Sequence, residues 1–387
     1  MKVFDRSILA LPLFEDRHRA LADKLESWLA EHKELPRKHA AVNASERGRL
    51  YMRLLGATGW LSYAIDAAPG RNRPDLRSLC LIREAFAYLD DLLDFAFAIQ
   101  GLGAAPVAWF GSDRQRAGLL PRMREGEVIG SLALSEPDCG SNLGELTLRA
   151  EKCSKDYVLS GSKTWVSHGN IADWHAVLAR TGEGPGGLGL SFFMVPAPSV
   201  TATEIELLAP RAFASVSFDG CTLPGEALVG QSGSGFQYAL EILNFYRVTV
   251  GSAAIGFCRR GVQATLEWCR NRRVAGSSLI QKQLTIDKLA QMAVYLDSAS
   301  LLVARSAWEF DTGVKDVAAH ASMAKLHATD GAAQVIDDVV QLFGAAGLVA
   351  GSLPEQLYRQ IRSLRVYEGT SEIQKMVIAG VMSRPAA

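Results

Sequence analysis

Between about Gly130 and Gly230 the sequence breaks into short runs rich in Val, Leu, Phe and Thr, among them DYVLSG, KTWVSH, WHAVLART, LSFFMVP and SVSFDGCTL, with Gly, Pro, Ser and Asp between them. Runs of this kind, closed by turn residues, predict the strands of an antiparallel β domain. Both flanks have the opposite texture. On the N-terminal side, RHRALADKLESWLAEH and LIREAFAYLDDLLDFAFAIQGLGAAPVAWF repeat apolar residues at helical spacing. On the C-terminal side, the segment from Phe236 to Arg273 contains no proline, and two further long helical patterns follow it. Such lengths suit a bundle of long antiparallel helices. The chain is therefore expected to be α+β, in the order α, β, α. An N-terminal helical domain would span 1–128, a middle antiparallel β-barrel or sandwich 129–232, and a C-terminal four-helix bundle 233–387. AAPGRNRPD reads as a loop inside the first domain, and GEGPGGLG as a hairpin-type loop inside the second.

Bulk properties remove several classes of function. Lys and Arg number 41 and Asp and Glu number 41, so no bulk charge draws the chain to nucleic acid or an anionic membrane. The first residues carry no secretory h-region, and no run of 18 apolar residues is present, so the expectation is a cytoplasmic protein with no membrane partner. Six cysteines without a Cys-x-x-Cys pair read as reduced thiols. His320 and His327 are spaced to share a helix face, but two such residues are more often surface histidines than ligands, and no metal is expected. Neither a phosphate-binding G-x-x-x-x-G-K-[ST] loop nor a G-x-S-x-G elbow occurs.

Near the end, VYEGTSEIQKMVIAG holds a carboxylate, Glu368, beside a glycine and two hydroxyl residues. Ser352-x-x-Glu355 with Pro354 predicts a helix start, and Ser371-x-x-Gln374 predicts a second capping box. Glu368 and Gly369 would then lie in a tight connection between helices, with Gly369 supplying unusual dihedrals. Local rules leave two readings open for Glu368: a carboxylate stabilised at a helix N-terminus, or a base aimed into a pocket. The Arg359, Arg362 and Arg365 row is likewise either a solvated face or a landing strip for phosphates.

Two upstream strings bear on that choice. GSLALSEPDCGSN runs from Gly130 to Asn142 and GSKTWVSHG from Gly161 to Gly169. With YEGTSEIQ they resemble, in order and spacing, three signature strings of the acyl-CoA dehydrogenase family, flavoproteins that desaturate acyl thioesters. Arg272 to Gly276 with Gln283, and Gln341 to Gly347, resemble two further strings of that family, so the similarity spans essentially the whole chain. The resemblance implies FAD as cofactor. Leu132, Leu134, Ser135, Gly140 and Ser141 would line the flavin ring and ribityl chain, with Trp165, Val166 and Ser167 against the ring and its reactive edge. Arg272 and Gln283, and the Gln341, Gly344 and Ala345 segment, would reach the FAD of a neighbouring subunit, which implies a homodimer or homotetramer. Thr370 and Glu372 would meet phosphate or adenine. Ser141, Asn244, Arg247 and Gly369 would lie near the substrate. Several positions depart from the family pattern, with Val274 and Ala275, Ala345, Glu372, Asn142 and Gln360 replacing its usual residues, so the far end of the dinucleotide would be held differently.

The resemblance also implies a mechanism. Glu368 matches the family's base, which takes the α-proton while the β-hydrogen leaves as hydride to flavin N5. The thioester carbonyl would be held by the base's own backbone N–H and a ribityl hydroxyl, an oxyanion-hole effect of several kcal/mol. Some members carry the base on the long helix, one residue before an Arg; here that position is Tyr246, which favours Glu368. Burial would raise the pKa of Glu368 toward the working pH. The expected partners are an acyl-CoA or acyl-carrier-protein substrate and an electron-transfer flavoprotein or oxygen. Three other readings stand beside this one: a biosynthetic dehydrogenase or oxidase of carrier-bound acyl or aminoacyl groups, a nitroalkane-type flavin oxidase, and a non-catalytic scaffold. The charged N-terminal segment and the lack of a G-G-x-G string in the first domain suit the first. Retention of Glu368 argues against the second, and retention of Glu368, Trp165 and Gly369 against the third.

Overall fold

The structure is a computed structural model and describes residues 3–66 and 73–383. Among the described residues, seven α-helices come first: α1 (Arg6–Leu9), α2 (Asp16–Glu31), α3 (Leu35–Lys38), α4 (Ala44–Ala57), α5 (Leu76–Leu89), α6 (Asp91–Phe110) and α7 (Asp113–Arg124). Eight strands follow: β1 (Gly130–Ala133), β2 (Arg149–Cys153), β3 (Asp156–Ser167), β4 (Trp174–Arg180), β5 (Leu190–Pro196), β6 (Thr201–Glu204), β7 (Phe213–Leu223) and β8 (Leu228–Val229). After them run α8 (Gly235–Asn271), the short hairpin β9 (Arg273–Val274) and β10 (Ser277–Ser278), α9 (Gln283–Asp311), α10 (Ala318–Phe343), α11 (Leu353–Arg362) and α12 (Ser371–Met382). The α, β, α order expected from hydrophobic period is the order found. Most of the AAPGRNRPD segment lies outside the described residues.

The chain forms two compact units. One takes in residues up to Lys38, Asp75–Asp94 and those from Asn244 onward; the other takes in His39–Pro74 and Phe95–Leu243. In the second unit the sheet order is β6-β7-β3-β2-β4-β5-β8, with β1 added beside β4. The sheet is not purely antiparallel: β1 runs parallel to β4, and β2 meets β4 in parallel at Arg149 and Arg180. Alternate residues of β3, β4, β5 and β7 point inward, and Leu159, Val166, Val177, Phe193 and Val216 make a dry core. The start of β1 is fixed by α6, where the Gln100 side chain accepts from Gly130 N at 2.9 Å and donates to the Met123 and Val128 carbonyls. A side chain at Gly103 would strike the Gly130 carbonyl carbon at 2.6 Å, so α6 and β1 approach backbone to backbone there.

The first unit is helical. Close approach again depends on glycine: a Cβ on Gly256 of α8 would come within 2.2 Å of the Glu84 carbonyl oxygen of α5. On α10, Ala321, Ala324, Ala328 and Ala332 form a small-residue stripe that is fully buried. α6 is long and apolar enough to cross a membrane, but 94% of its most apolar window is buried inside the fold, where a packed apolar helix belongs. The six cysteines are free thiols.

Candidate functional site

In the β unit, strand β3 slips register against β7 between Lys163 and Val166. Inside that irregularity Trp165 takes a positive φ of 56°. The two neighbours point opposite ways: Val166 into the core, while the Trp165 indole stands 57% exposed. An apolar ring that large is rarely left facing outward on a strand without a partner to cover it. The loop after β1 is braced from the same strand. Fully buried Lys163 donates to the Leu134 carbonyl at 2.8 Å and to Glu136 at 2.9 Å. Glu136 also accepts from the backbone N–H groups of Thr147 and Leu148, and Thr164 N donates to the Ser135 carbonyl at 2.9 Å. Burial lowers the Lys163 pKa to about 8 against the pull of Glu136. Gly140 leaves open space, since a side chain there would meet only Ser135 Oγ, at 3.9 Å. A rigid loop of backbone groups beside an outward-facing indole suits a planar aromatic ring system such as a flavin.

In the helical unit, Glu368 lies in the connection between the turn Ser363–Arg365 and α12, with φ +52°, followed by Gly369 at +89°. A left-handed conformation at a non-glycine residue costs roughly 1–2 kcal/mol and persists only where its surroundings impose it. Here they do. Lys325 Nζ, fully buried on α10, donates to the Gly369 carbonyl at 2.8 Å. Buried Gln374 Nε2 donates to the Gly369 carbonyl at 2.9 Å and the Glu368 carbonyl at 3.3 Å. Asp330, also on α10, accepts from Arg365 Nε at 2.8 Å and Ser371 Oγ at 2.6 Å, gripping the segment on either side of Glu368. Gly369 is required, because a Cβ would add a 2.7 Å clash with Gln374 Nε2 to the positive φ.

This corrects the expected capping boxes. Thr370 Oγ1, not Ser371, caps α12, accepting from Ile373 N. Ser371 spends its hydroxyl on Asp330, and Gln374 turns back to carbonyls. Ser352 makes no side-chain cap on α11, and Glu355 reaches back to Gly351 N instead.

The residue Glu368 is half-buried, yet its carboxylate Oε2 is sealed from solvent and has no hydrogen-bond partner among the described residues. Burial pushes its pKa up to about 7; Arg83, Lys325 and Arg247 hold it down in part, and Asp94 opposes them. Arg83 of α5 is bound to Asp94 through Nε at 2.9 Å and Nη2 at 2.8 Å, and to Thr249 Oγ1 at 2.9 Å. Burial disfavours the Arg83 charge, but Asp94 outweighs it and the pKa stands above its usual value. Arg247 of α8 is buried and donates to Ser322 Oγ at 3.0 Å. Tyr246 is buried too, its pKa raised by burial and by Glu368, so it supplies no carboxylate-like base.

Of the residues expected at the site, Glu368, Gly369 and Arg247 share this neighbourhood, and Asn244 is half-buried on α8. Arg272, Gln283, Gln341, Gly344, Ala345 and Glu372 are exposed. Thr370 serves as a helix cap. Leu132, Leu134 and Ser135 are half-buried around the braced loop, Gly140 and Ser141 are exposed, and Ser167 is half-buried beside Trp165. Val166 offers only its backbone, since its side chain belongs to the core. In the arginine row, Arg359 is paired with Glu355 and Arg365 with Asp330. His320 bonds Glu309 and His327 bonds Ser298; no cluster among the described residues is able to hold a metal. Sequence reasoning missed Lys325, Asp330, Arg83 and Asp94. One signal was present: Lys325 falls on the small-residue stripe of α10, where a lysine has no reason to be unless it has a buried acceptor.

The acyl-CoA dehydrogenase N-terminal, middle and C-terminal domain models match residues 15–127, 131–221 and 233–383. The chain therefore belongs to the acyl-CoA dehydrogenase family and is an FAD-dependent oxidoreductase. It is 29% identical over 386 residues to a probable acyl-CoA dehydrogenase of Mycobacterium leprae, covering 96% of this chain and 98% of the relative. It is 34% identical over 284 residues to the mitochondrial short-chain specific acyl-CoA dehydrogenase of Homo sapiens, covering 72% and 69%. A glutaryl-CoA dehydrogenase of Mycobacterium smegmatis, solved with FADH2, superposes with a TM-score of 0.86 at 27% identity, covering 97% and 96%.

Proposed function

We propose that this chain dehydrogenates an acyl thioester between its α and β carbons, with Glu368 as the base that takes the α-proton. The observation that carries the reading is the state of Glu368: a carboxylate oxygen sealed from solvent and unpaired, on a loop held in a strained conformation by the side chains of Lys325, Gln374 and Asp330, with a pKa brought to about 7. A structural carboxylate would be expected to have found hydrogen-bond donors. A general base is instead served by a proton affinity near the working pH and a free lone pair.

Bound FAD supplies the acceptor for the β-hydrogen. The residues for holding it are Trp165, whose indole offers an apolar face, and the Leu134–Ser135 loop and Ser167, which offer backbone and hydroxyl groups. In the helical unit, the Glu368 N–H has no acceptor among the described residues and is free to donate to the thioester carbonyl, favouring the charge that develops there as the α-proton leaves. Arg83, Arg247 and Lys325 keep the ionised base accessible despite its burial. Acyl-CoA and carrier-protein thioesters both present the required carbonyl and α-hydrogens, and an electron-transfer flavoprotein or oxygen would reoxidise the cofactor. We further propose a homodimer or homotetramer, in which exposed Arg272, Gln283, Gln341, Gly344 and Ala345 serve a neighbour's FAD.

The test is anaerobic mixing of the FAD-loaded protein with a panel of CoA and carrier-protein thioesters, following the flavin band near about 450 nm. At least one thioester should bleach it, and Glu368→Gln should retain FAD but resist reduction. A panel that leaves the flavin oxidised would refute the dehydrogenase reading, and full reduction of the Gln variant would remove Glu368 from the mechanism.

A further inference from the structure

We infer that Lys325 is the positioning residue of the base: through the Gly369 carbonyl it fixes the turn that carries Glu368, and it brings a buried ammonium to the base's own loop. The inference rests on the reading of Glu368 as base.

The geometry supports a dedicated role. Lys325 is fully buried, in the alanine stripe of α10, and the hydrogen bond its Nζ makes is to the carbonyl of the residue that follows Glu368. Burying an ammonium for one neutral carbonyl is unfavourable unless a negative charge is near. Glu368 is the strongest favourable charge acting on Lys325. Burial nonetheless lowers the Lys325 pKa to about 8, and Arg247 also disfavours its charge, while Asp330 and Glu372 favour it. Glu368 in turn faces Arg83 from α5, Asp94 from α6, Arg247 and Tyr246 from α8 and Lys325 from α10. Arg83 is largely committed to Asp94 and Thr249. Lys325 is a cation that also holds the base's own loop, through the Gly369 carbonyl. Asp330, five residues further along α10, secures both ends of that loop through Arg365 and Ser371. One helix therefore fixes the height of the turn and supplies its charge.

The experiment measures the pH profile of flavin reduction by a thioester that reduces the wild type, using FAD-loaded Lys325→Met, Lys325→Arg, Asp330→Asn and Glu368→Gln. Loss of the ammonium should raise the midpoint of the Met variant by about one pH unit, which makes its rate at pH 6, relative to its own plateau, roughly tenfold lower than wild type. Arg keeps the charge and should leave the midpoint within about 0.3 unit of wild type. Asp330→Asn should lower the plateau without moving the midpoint. A purely structural lysine would change the plateau alone, so an unmoved midpoint in the Met variant, with Glu368→Gln inert, overturns the role of Lys325 and leaves the base intact. If Glu368→Gln is still reduced, the base reading and this inference fall together. If the Met variant does not fold, an Arg variant whose midpoint rises by a full unit overturns the inference on its own.

Discussion

A base buried before its substrate arrives should destabilise the fold that carries it, and Glu368→Gln makes that measurable. The Glu368 pKa rises from an ordinary 4.5 to about 7. A carboxylate with a raised folded-state pKa imposes no penalty below its unfolded value, where both states are protonated. Its penalty grows by about 1.4 kcal/mol per pH unit between the two values and is complete above the folded one. Over the interval from 4.5 to about 7 the full total is about 3.4 kcal/mol, and partial exposure of the residue brings the expected effect down to about 3 kcal/mol. Glutamine resembles the protonated acid, so the variant should match wild type near pH 4.5 and exceed it in stability by up to about 3 kcal/mol at pH 8. In a unit of this size that corresponds to a rise in unfolding midpoint on the order of 5–10 °C. The assay is thermal unfolding of both FAD-loaded proteins at pH 5 and pH 8, followed by circular dichroism. A gain at pH 8 that exceeds the gain at pH 5 supports the argument, and so does a wild-type reduction rate that climbs roughly tenfold from pH 6 to its plateau. An equal shift at both pH values, or a loss at pH 8, would show that the carboxylate is not held against burial, and would refute the reasoning.

Two further outcomes follow from the same geometry. Arg83→Met removes one side of the buried Arg83–Asp94 ion pair and should cost about 3–5 kcal/mol in urea unfolding, whereas replacing Arg83 and Asp94 together by apolar residues should recover most of that loss. Trp165→Ala removes an indole that is 57% exposed, so unfolding of the apoprotein should change by no more than about 0.5 kcal/mol; FAD retention through gel filtration should fall clearly, and an unchanged flavin-to-protein ratio would count against Trp165 as a cofactor surface.

What the sequence disclosed and what it hid divide by the range of the interactions. The α, β, α order was legible because period-2 and period-3.6 patterning are local properties, and the long proline-free segment did become the single helix Gly235–Asn271. The hinge at Glu368 was legible because Gly369 carries local turn chemistry and hydroxyl residues open the next helix, although the cap is Thr370 and not the expected Ser371. The capping box at Ser371 was misread because a partner 41 residues away outcompetes the local one: Asp330 takes the Ser371 hydroxyl, and the amide of Gln374, freed from capping, turns onto the Glu368 and Gly369 carbonyls. The site charges follow the same logic. Arg83 lies 11 residues from Asp94 and 166 from Thr249, and Lys325 lies 44 from Gly369; no spacing rule joins them. What local reasoning does offer is the anomaly each one creates, a lysine among alanines on α10 and an arginine inside the fully buried α5. A charge on a face that must be buried requires a counter-charge or acceptor from elsewhere in the fold, so such anomalies forecast that a polar site exists. The packing of α5, α6, α8 and α10 around the turn before α12 then decides that the group they serve is Glu368. The same turn therefore carries two features that local sequence rules do not reach, a left-handed backbone at Glu368 and a carboxylate whose burial raises its proton affinity.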